Sequence, residues 1–176
     1  MKSKAFRQQG LTLIELLMVL AVLSITLGLS GPDFKAMLQK RRLEAASSDV
    51  VADLQYARSE AVARNRTVRI DFEQNSAGSC YVIHAGGTCH CAADGTASCS
   101  TDAALVKSFG LSTSSGLALN SNAASITLDP VLGTFSPTAT LNLTSTGGMG
   151  IRHVVNLLGR VRSCSPGRTV TGYTVC

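Results

Sequence analysis

A continuous apolar run near the N-terminus constrains this chain more than any other feature. Residues 11–31 read LTLIELLMVLAVLSITLGLSG and follow the basic decapeptide MKSKAFRQQG. About twenty apolar residues, at a helical rise of about 1.5 Å each, cover the hydrocarbon core of a membrane. The run therefore predicts a transmembrane helix. Because Lys2, Lys4 and Arg7 precede it, we expect its N-terminal side to face the cytoplasm.

Glu15 is out of place in this apolar run. A carboxylate is costly in lipid, so an acid at this position predicts a functional role and a partner for its charge. A cleavable secretory signal is the alternative, since Gly28-Leu29-Ser30 provides small residues at a passable cleavage spacing. The acid and the length of the run both argue against that alternative.

The residues around the acid resemble a known processing site. Gly10-Leu11-Thr12-Leu13-Ile14-Glu15 is similar to the leader junction of type IV pilins and type II secretion pseudopilins. The resemblance implies that a prepilin peptidase cleaves after Gly10 and methylates the new N-terminus, Leu11. It also implies that Glu15 pairs with the amino terminus of a neighbouring pilin subunit. Pro32 stands where pilins commonly have a helix-kinking proline. The expected product is a single-pass inner-membrane subunit, with a periplasmic C-terminal domain, that joins a pilus.

The rest of the chain divides into a helical part and a β-rich part. Apolar residues recur every three or four positions between residues 33 and 65, which predicts an amphipathic helix whose stripe is Leu43, Ala46, Val50, Leu54, Ala57 and Ala61. The period then changes to two, which predicts strands at 67–72, 80–84, 105–109, 125–128, 138–144 and 153–162. Residues 85–102 are expected to form a loop, and residues 110–124 an exposed connection.

These patterns predict an α+β chain in which a long N-terminal helix packs on an antiparallel β-sheet domain. Its segments are a leader at 1–10, a transmembrane and assembly helix at 11–31, and a globular domain at 32–176. The segment LQYARSEAVARN at 54–65, followed by Val68-Arg69-Ile70, resembles the GspH/FimT group of minor pilins and minor pseudopilins. That resemblance implies a pilin-like fold.

The six cysteines predict a disulfide framework, because an even count in an exported chain favours pairing; they are Cys80, Cys89, Cys91, Cys99, Cys164 and Cys176. Six cysteines allow about 15 pairings, and a short loop closed between Cys164 and Cys176 is one attractive choice. A metal site at Cys89-His90-Cys91, with His84 nearby, is the alternative. Its spacing departs from that of zinc sites and no second pair follows, so we expect neither metal nor cofactor.

Basic residues dominate the C-terminal part of the chain. Residues 103–176 contain one acid, Asp129, and five cations: Lys107, Arg152, Arg160, Arg162 and Arg168. Within Gly159-Arg160-Val161-Arg162, the two arginines would share one face of a strand, roughly 6.5–7 Å apart. Two planar guanidinium groups at this spacing suit neighbouring phosphates. The glycine would either let a phosphate approach the backbone or mark a bulge that re-aims the arginines.

This motif resembles the GRxR signature of FimT-type minor pilins, which are associated with DNA uptake in natural transformation. The resemblance implies that Arg160 and Arg162 contact DNA and that Gly159 supports the turn. Lys107, Arg152 and Arg168 join this prediction from charge distribution alone. The alternative is an edge strand that its arginines protect against aggregation.

Two functions therefore compete. One is a DNA-binding minor pilin, and the other is a purely structural subunit that initiates or caps a pilus or a type II secretion pseudopilus. An enzyme is the weakest hypothesis, since His84, His90 and His153 have no partner at a recognisable catalytic spacing. Paired cysteines would also leave no free nucleophile.

Overall fold

The computed structural model describes residues 12–167 and 170–176, which form two compact units. One unit ends at Leu38 and the other is formed by Gln39–Cys176. A helix, α1 (Leu13–Ala63), supplies all of the secondary structure described in the first unit and continues into the second.

The first unit is helical from Leu13 onwards, and the hydroxyl groups of Ser24 and Thr26 donate hydrogen bonds within the helix. Thr26 Oγ1 donates to the carbonyl of Leu23 at 2.9 Å. Within the described residues, no helix combines the length and the apolar character needed to cross a membrane. The span predicted over residues 11–31 stays a prediction.

The second unit contains eleven strands after α1. They are β1 (Val68–Asn75), β2 (Gly78–Ala85), β3 (Cys89–Cys91), β4 (Ala97–Cys99), β5 (Ala104–Ser112), β6 (Leu117–Ser121), β7 (Ser125–Leu128), β8 (Phe135–Ser136), β9 (Ala139–Ser145), β10 (Gly150–Val155) and β11 (Val161–Cys164). A 3₁₀ turn at Thr113–Ser115 separates β5 from β6. The order is β5-β2-β1-β7-β8 in one sheet and β11-β10-β9-β6 in another, with β3 and β4 as a separate hairpin.

The helix and both large sheets share one hydrophobic core. The predicted stripe of α1 is confirmed, since its six residues are at most 5 % exposed. They pack with Ile70 and Ile83 of the first sheet and with Leu141, Leu143 and Ile151 of the second. Burying each large aliphatic side chain contributes about 1.5–3 kcal/mol, so this shared core holds the sheets on the helix.

Three predictions about the strands were wrong. The expected loop at 85–102 contains the β3–β4 hairpin, and the expected connection at 110–124 contains the end of β5 and all of β6. The single strand predicted at 153–162 is two strands, β10 and β11, which pair antiparallel across a turn. Asn156 holds that turn, because its carbonyl accepts the Gly159 N–H and its side chain accepts the Arg160 N–H.

All six cysteines are paired, as Cys80–Cys91, Cys89–Cys99 and Cys164–Cys176. The expected loop between Cys164 and Cys176 is confirmed. The first two bridges tie the β3–β4 hairpin to β2 and close the hairpin on itself. Because Cys89 and Cys91 are both in disulfides, neither offers the thiolate that the alternative metal site requires.

A buried carboxylate joins α1 to the first sheet. Asp53 is 4 % exposed, and one of its oxygens accepts a hydrogen bond of 2.7 Å from the Tyr81 hydroxyl on β2. The other oxygen pairs with Lys107 Nζ on β5. Burial, together with the bond to Asp53, raises the pKa of Tyr81 well above its usual range, so the phenol remains a donor. The cluster anchors the helix to two adjacent strands.

Replacing this carboxylate tests its contribution to stability. We expect Asp53→Ala to lower the free energy of unfolding by about 2–3 kcal/mol, because the buried Tyr81 hydroxyl loses its acceptor and the half-exposed Lys107 loses its ion pair. Lys107→Met is the control, since the lysine side chain is 45 % exposed and its loss should cost less. Urea unfolding of the oxidised protein measures both. Equal losses in the two variants would contradict the dominant role of the Asp53–Tyr81 bond.

A second polar cluster surrounds His153 on β10, which is 1 % exposed. Its Nε2 lies 2.9 Å from the Ser47 hydroxyl of α1, and its Nδ1 lies 2.8 Å from the Ser163 hydroxyl of β11. Burial lowers the pKa of His153 from 6.5 to about 4. The ring is therefore neutral at physiological pH and bridges the helix to the second sheet.

This lowered pKa predicts a loss of stability in mild acid. Between pH 6.5 and about 4 the unfolded chain binds a proton at His153 that the folded chain does not. The free energy of unfolding should be highest above pH 6.5 and fall by up to about 3 kcal/mol as the pH drops through this window. His153→Gln should flatten the dependence, whereas the exposed-site control His90→Gln should not. Urea titrations at several pH values measure it, and an unchanged slope in His153→Gln would refute the assignment.

Candidate nucleic-acid interface

Gly159 fixes the shape of the turn that presents the arginine motif. Its φ is +75°, a conformation that favours glycine, and a Cβ at this position would lie 2.5 Å from Cε2 of Phe135. Its carbonyl accepts a hydrogen bond of 3.1 Å from Gln55 Nε2 of α1. The residue is buried, so it positions the motif and does not offer its backbone to a phosphate. Of the two roles considered for it, support of the turn agrees with this geometry.

Arg160 and Arg162 are both exposed, whereas Val161 between them packs against the core. Arg162 lies opposite Val154 in the pairing of β11 with β10. Within residues 12–167 and 170–176, neither guanidinium group makes a hydrogen bond or ion pair. Two exposed cations without a partner among the described residues therefore stand two positions apart at the start of β11.

Arg58 of α1 is a third cation beside this hairpin. Its guanidinium lies between two turns, because a Cβ on Gly133 would be 2.9 Å from its Nε and a Cβ on Gly159 would be 3.5 Å from its Nη1. The side chain is half-buried and has no hydrogen-bond or ion-pair partner among the described residues. Sequence reasoning missed this residue, because no local pattern shows that the helix meets a hairpin so far along the chain.

The other predicted cations differ in their surroundings. Arg152 shares the Arg162 side of the hairpin, but it is half-buried and donates a 2.7 Å hydrogen bond from Nε to Asn142. Lys107 lies on β5 of the other sheet and is paired with Asp53. Arg168 lies outside the described residues. The structure thus brings Arg152, Arg160 and Arg162 together and sets Lys107 apart.

The position of β11 also agrees with the alternative in which its charges protect the sheet against aggregation. β11 is the edge strand of its sheet, where exposed charges discourage pairing with another chain. Beyond Cys164, the disulfide and a parallel bridge between Ser165 and Val175 hold the C-terminal segment against this edge. The arginines therefore lie beside a segment that a disulfide and a backbone bridge hold in place.

The residues predicted for processing and assembly lie at the start of the chain. Gly10 and Leu11 lie outside the described residues. Glu15 is in the first turn of α1, where its N–H donates to the Thr12 hydroxyl at 3.3 Å, in the manner of a helix cap. Pro32 lies within α1.

A groove of about 350 Å³ lies between the first sheet and the β3–β4 hairpin. Asp71 lines it and accepts a 2.7 Å bond from His84 Nε2, while His84 Nδ1 lies 2.9 Å from the Gly86 carbonyl. His84 is buried and both of its ring nitrogens face acceptors inside the protein, so neither nitrogen is open to a substrate. This arrangement indicates a structural pair.

Comparisons with solved structures show a fold shared with minor pilins. The type IV minor pilin FimU of Pseudomonas aeruginosa is 20 % identical, with 74 % of this chain and 96 % of that chain covered and a TM-score of 0.53. The minor pseudopilin EpsH of the Vibrio cholerae type 2 secretion system is 14 % identical, with 72 % and 98 % covered and a TM-score of 0.50. A search of curated proteins finds no match. The predicted α+β pilin-like fold is confirmed.

Family comparisons match both parts of the chain. The prokaryotic N-terminal methylation motif matches residues 5–31, which include the predicted processing site. The family described as type II transport protein GspH matches residues 46–159, which is more than half of the 176 residues. On this match, the chain belongs to the GspH family.

Proposed function

We propose that this chain is a FimT-like minor pilin that binds DNA through the β10–β11 hairpin during natural transformation. The observation that carries the proposal is the pair of exposed arginines, Arg160 and Arg162, on one side of a hairpin whose turn Gly159 fixes. Neither guanidinium is neutralised by a described residue. Arg152 lies on the same side and adds to the positive potential.

The chemistry of this surface suits the DNA backbone. Each arginine can donate two hydrogen bonds to one phosphate, and phosphates carry no sequence information. Binding should therefore tolerate any sequence and weaken steeply as salt rises. A single subunit offers few contacts, so several copies on a pilus would gain affinity through multivalency.

Assembly into the fibre is the second part of the proposal. Prepilin peptidase cleaves after Gly10 and methylates Leu11, and α1 then enters the inner membrane through its apolar first part. Glu15 pairs with the amino terminus of a neighbouring subunit, which neutralises both charges in an apolar setting. The match to the N-terminal methylation motif supports this processing.

A purely structural role is the second candidate. The matching family is described by a type II transport protein, which favours a minor pseudopilin that initiates or caps a secretion fibre. In that case the arginines on β11 would serve the protective role of edge charges. The two candidates differ in whether the arginine pair is needed for DNA binding.

Measuring DNA binding across a salt series separates them. For the full chain in non-ionic detergent, Arg160→Gln/Arg162→Gln should weaken binding at least about tenfold and make the slope of log K against log salt shallower by about 2. The charge-matched control is Arg41→Gln/Arg42→Gln, on exposed positions of α1 about 24 Å along the helix from Arg58. The control should bind nearly as the unaltered protein does.

Equal binding by both double variants, at unchanged thermal stability, would overturn the DNA site and leave the structural candidate. The same conclusion would follow if the unaltered chain failed to bind DNA even at low salt. Thermal unfolding of each variant shows whether a loss of binding reflects a loss of fold.

Mass spectrometry of the chain from cells with a prepilin peptidase tests the processing. We expect a mature protein that begins at Leu11 and carries one N-terminal methyl group, and Gly10→Val should abolish cleavage because the peptidase requires the small residue. Gly28→Ala is the control, since a Cβ there meets nothing within 4 Å. A mature chain that begins after Ser30 would instead establish the signal-peptide alternative.

A further inference from the structure

Two neighbouring turns expose four aliphatic side chains at one end of the domain. Val131 and Leu132 are 80 % and 72 % exposed in the turn between β7 and β8. Leu157 and Leu158 are 53 % and 66 % exposed in the turn between β10 and β11. We call these four residues the apolar tip. Their exposure is unfavourable in water, and such clusters mark sites of interaction.

The two turns form one surface. The Phe135 N–H donates a 2.8 Å hydrogen bond to the carbonyl of Leu157, which links the segments directly. The Arg58 guanidinium lies between Gly133 of one turn and Gly159 of the other. The apolar tip is therefore a single surface with a cation between its two turns.

Several backbone donors of the two turns are satisfied from within. Asp129 Oδ1 accepts the N–H groups of Val131 and Leu132 at 2.8 Å each, and the Asp129 carbonyl accepts the Gly133 N–H. In the other turn, Asn156 accepts the N–H groups of Gly159 and Arg160. Satisfying these donors internally lowers the cost of bringing the turns against a lipid layer, because hydrocarbon offers no hydrogen bonds.

Cations surround the apolar tip. Arg58 lies at its base, Arg160 directly precedes β11 and Arg162 lies on it. Asp129 is the one acid in either turn, and its carboxylate already accepts two N–H groups. The surface thus combines apolar side chains at the front with a positive margin behind them, which is complementary to phosphate headgroups above hydrocarbon.

We propose that the apolar tip docks into the surface of an anionic lipid bilayer, where the margin of arginines contacts lipid phosphates. DNA matches the arginines alone, since its exposed backbone gives four aliphatic side chains nothing to bury against. A protein partner would match the apolar residues, but the centres of such interfaces favour aromatic residues and methionine, and the tip has neither. Lipid matches both features. This binding is separate from the DNA binding proposed above, although the two share arginines.

The absence of tryptophan from the sequence allows a single reporter of tip insertion. The full chain carrying Leu158→Trp is held in phosphatidylcholine nanodiscs, so that its N-terminal segment already occupies lipid. Vesicles of phosphatidylglycerol with brominated acyl chains are then added. Leu105→Trp is the matched control, because Leu105 is 49 % exposed on β5, away from the tip.

The Leu158→Trp reporter should shift to shorter wavelength and lose most of its fluorescence, whereas the Leu105→Trp control should not change. Adding Val131→Ser/Leu132→Ser should weaken vesicle binding at least about tenfold through lost apolar burial, while DNA binding stays intact. Adding Arg58→Gln/Arg160→Gln should weaken it by roughly tenfold or more.

Equal quenching of the two reporters, or no quenching of either, would overturn the proposal. If the Leu158→Trp fluorescence changes when only further protein-bearing nanodiscs are added, the tip binds a neighbouring subunit and the proposal is overturned. A response to DNA in place of vesicles would assign the tip to DNA. Thermal unfolding and disulfide content confirm that each variant is folded before it is compared.

Discussion

The close packing of α1 against two sheets is the constraint on which the rest of the domain depends. Half of its buried stripe is alanine, at positions 46, 57 and 61, so the helix approaches both sheets closely. Polar side chains on the same helix then reach specific strands, Asp53 towards the first sheet and Ser47 towards the second. The position of the arginine motif depends on this packing, because Gln55 and Arg58 of the helix contact the turn of the motif.

Periodicity predicted the elements whose pattern is local. The stripe of α1 and the strands flanking residues 74–79 follow from spacing alone. The turn at Asn156–Arg160 did not follow, because Leu157 and Leu158 have the apolar character of a strand interior and only Asn156 and Gly159 mark the bend. β6 was missed for the opposite reason, since its surroundings are rich in serine and asparagine. In both cases strand pairing overrides local composition, with a neighbouring strand for β11 and with the distant β9 for β6.

The candidate site was partly accessible from the sequence. The spacing of Arg160 and Arg162 suffices to place them on one face, and a hairpin end preserves that alternation. Counting charges in the sequence grouped Lys107 with the arginines of the candidate site, because the count does not reveal that the lysine pairs with the Asp53 carboxylate in the fold. Arg58 shows the converse limit: its proximity to the motif depends on the packing of a helix against a hairpin. Individual cations gain or lose functional meaning through their nearest partners.

The two disulfides at the β3–β4 hairpin have a consequence for oxidative folding. Cys89 and Cys91 are separated by one residue, yet Cys89 is joined to the facing strand and Cys91 to β2. An exchange of these two partners would require the hairpin to slide or turn over on β2. Thiol chemistry cannot distinguish the two cysteines, so strand register must select the partner before the second bond closes. The disulfides then form between cysteines that strand pairing has already brought together. A chain with the wrong pairs would have to exchange its disulfides.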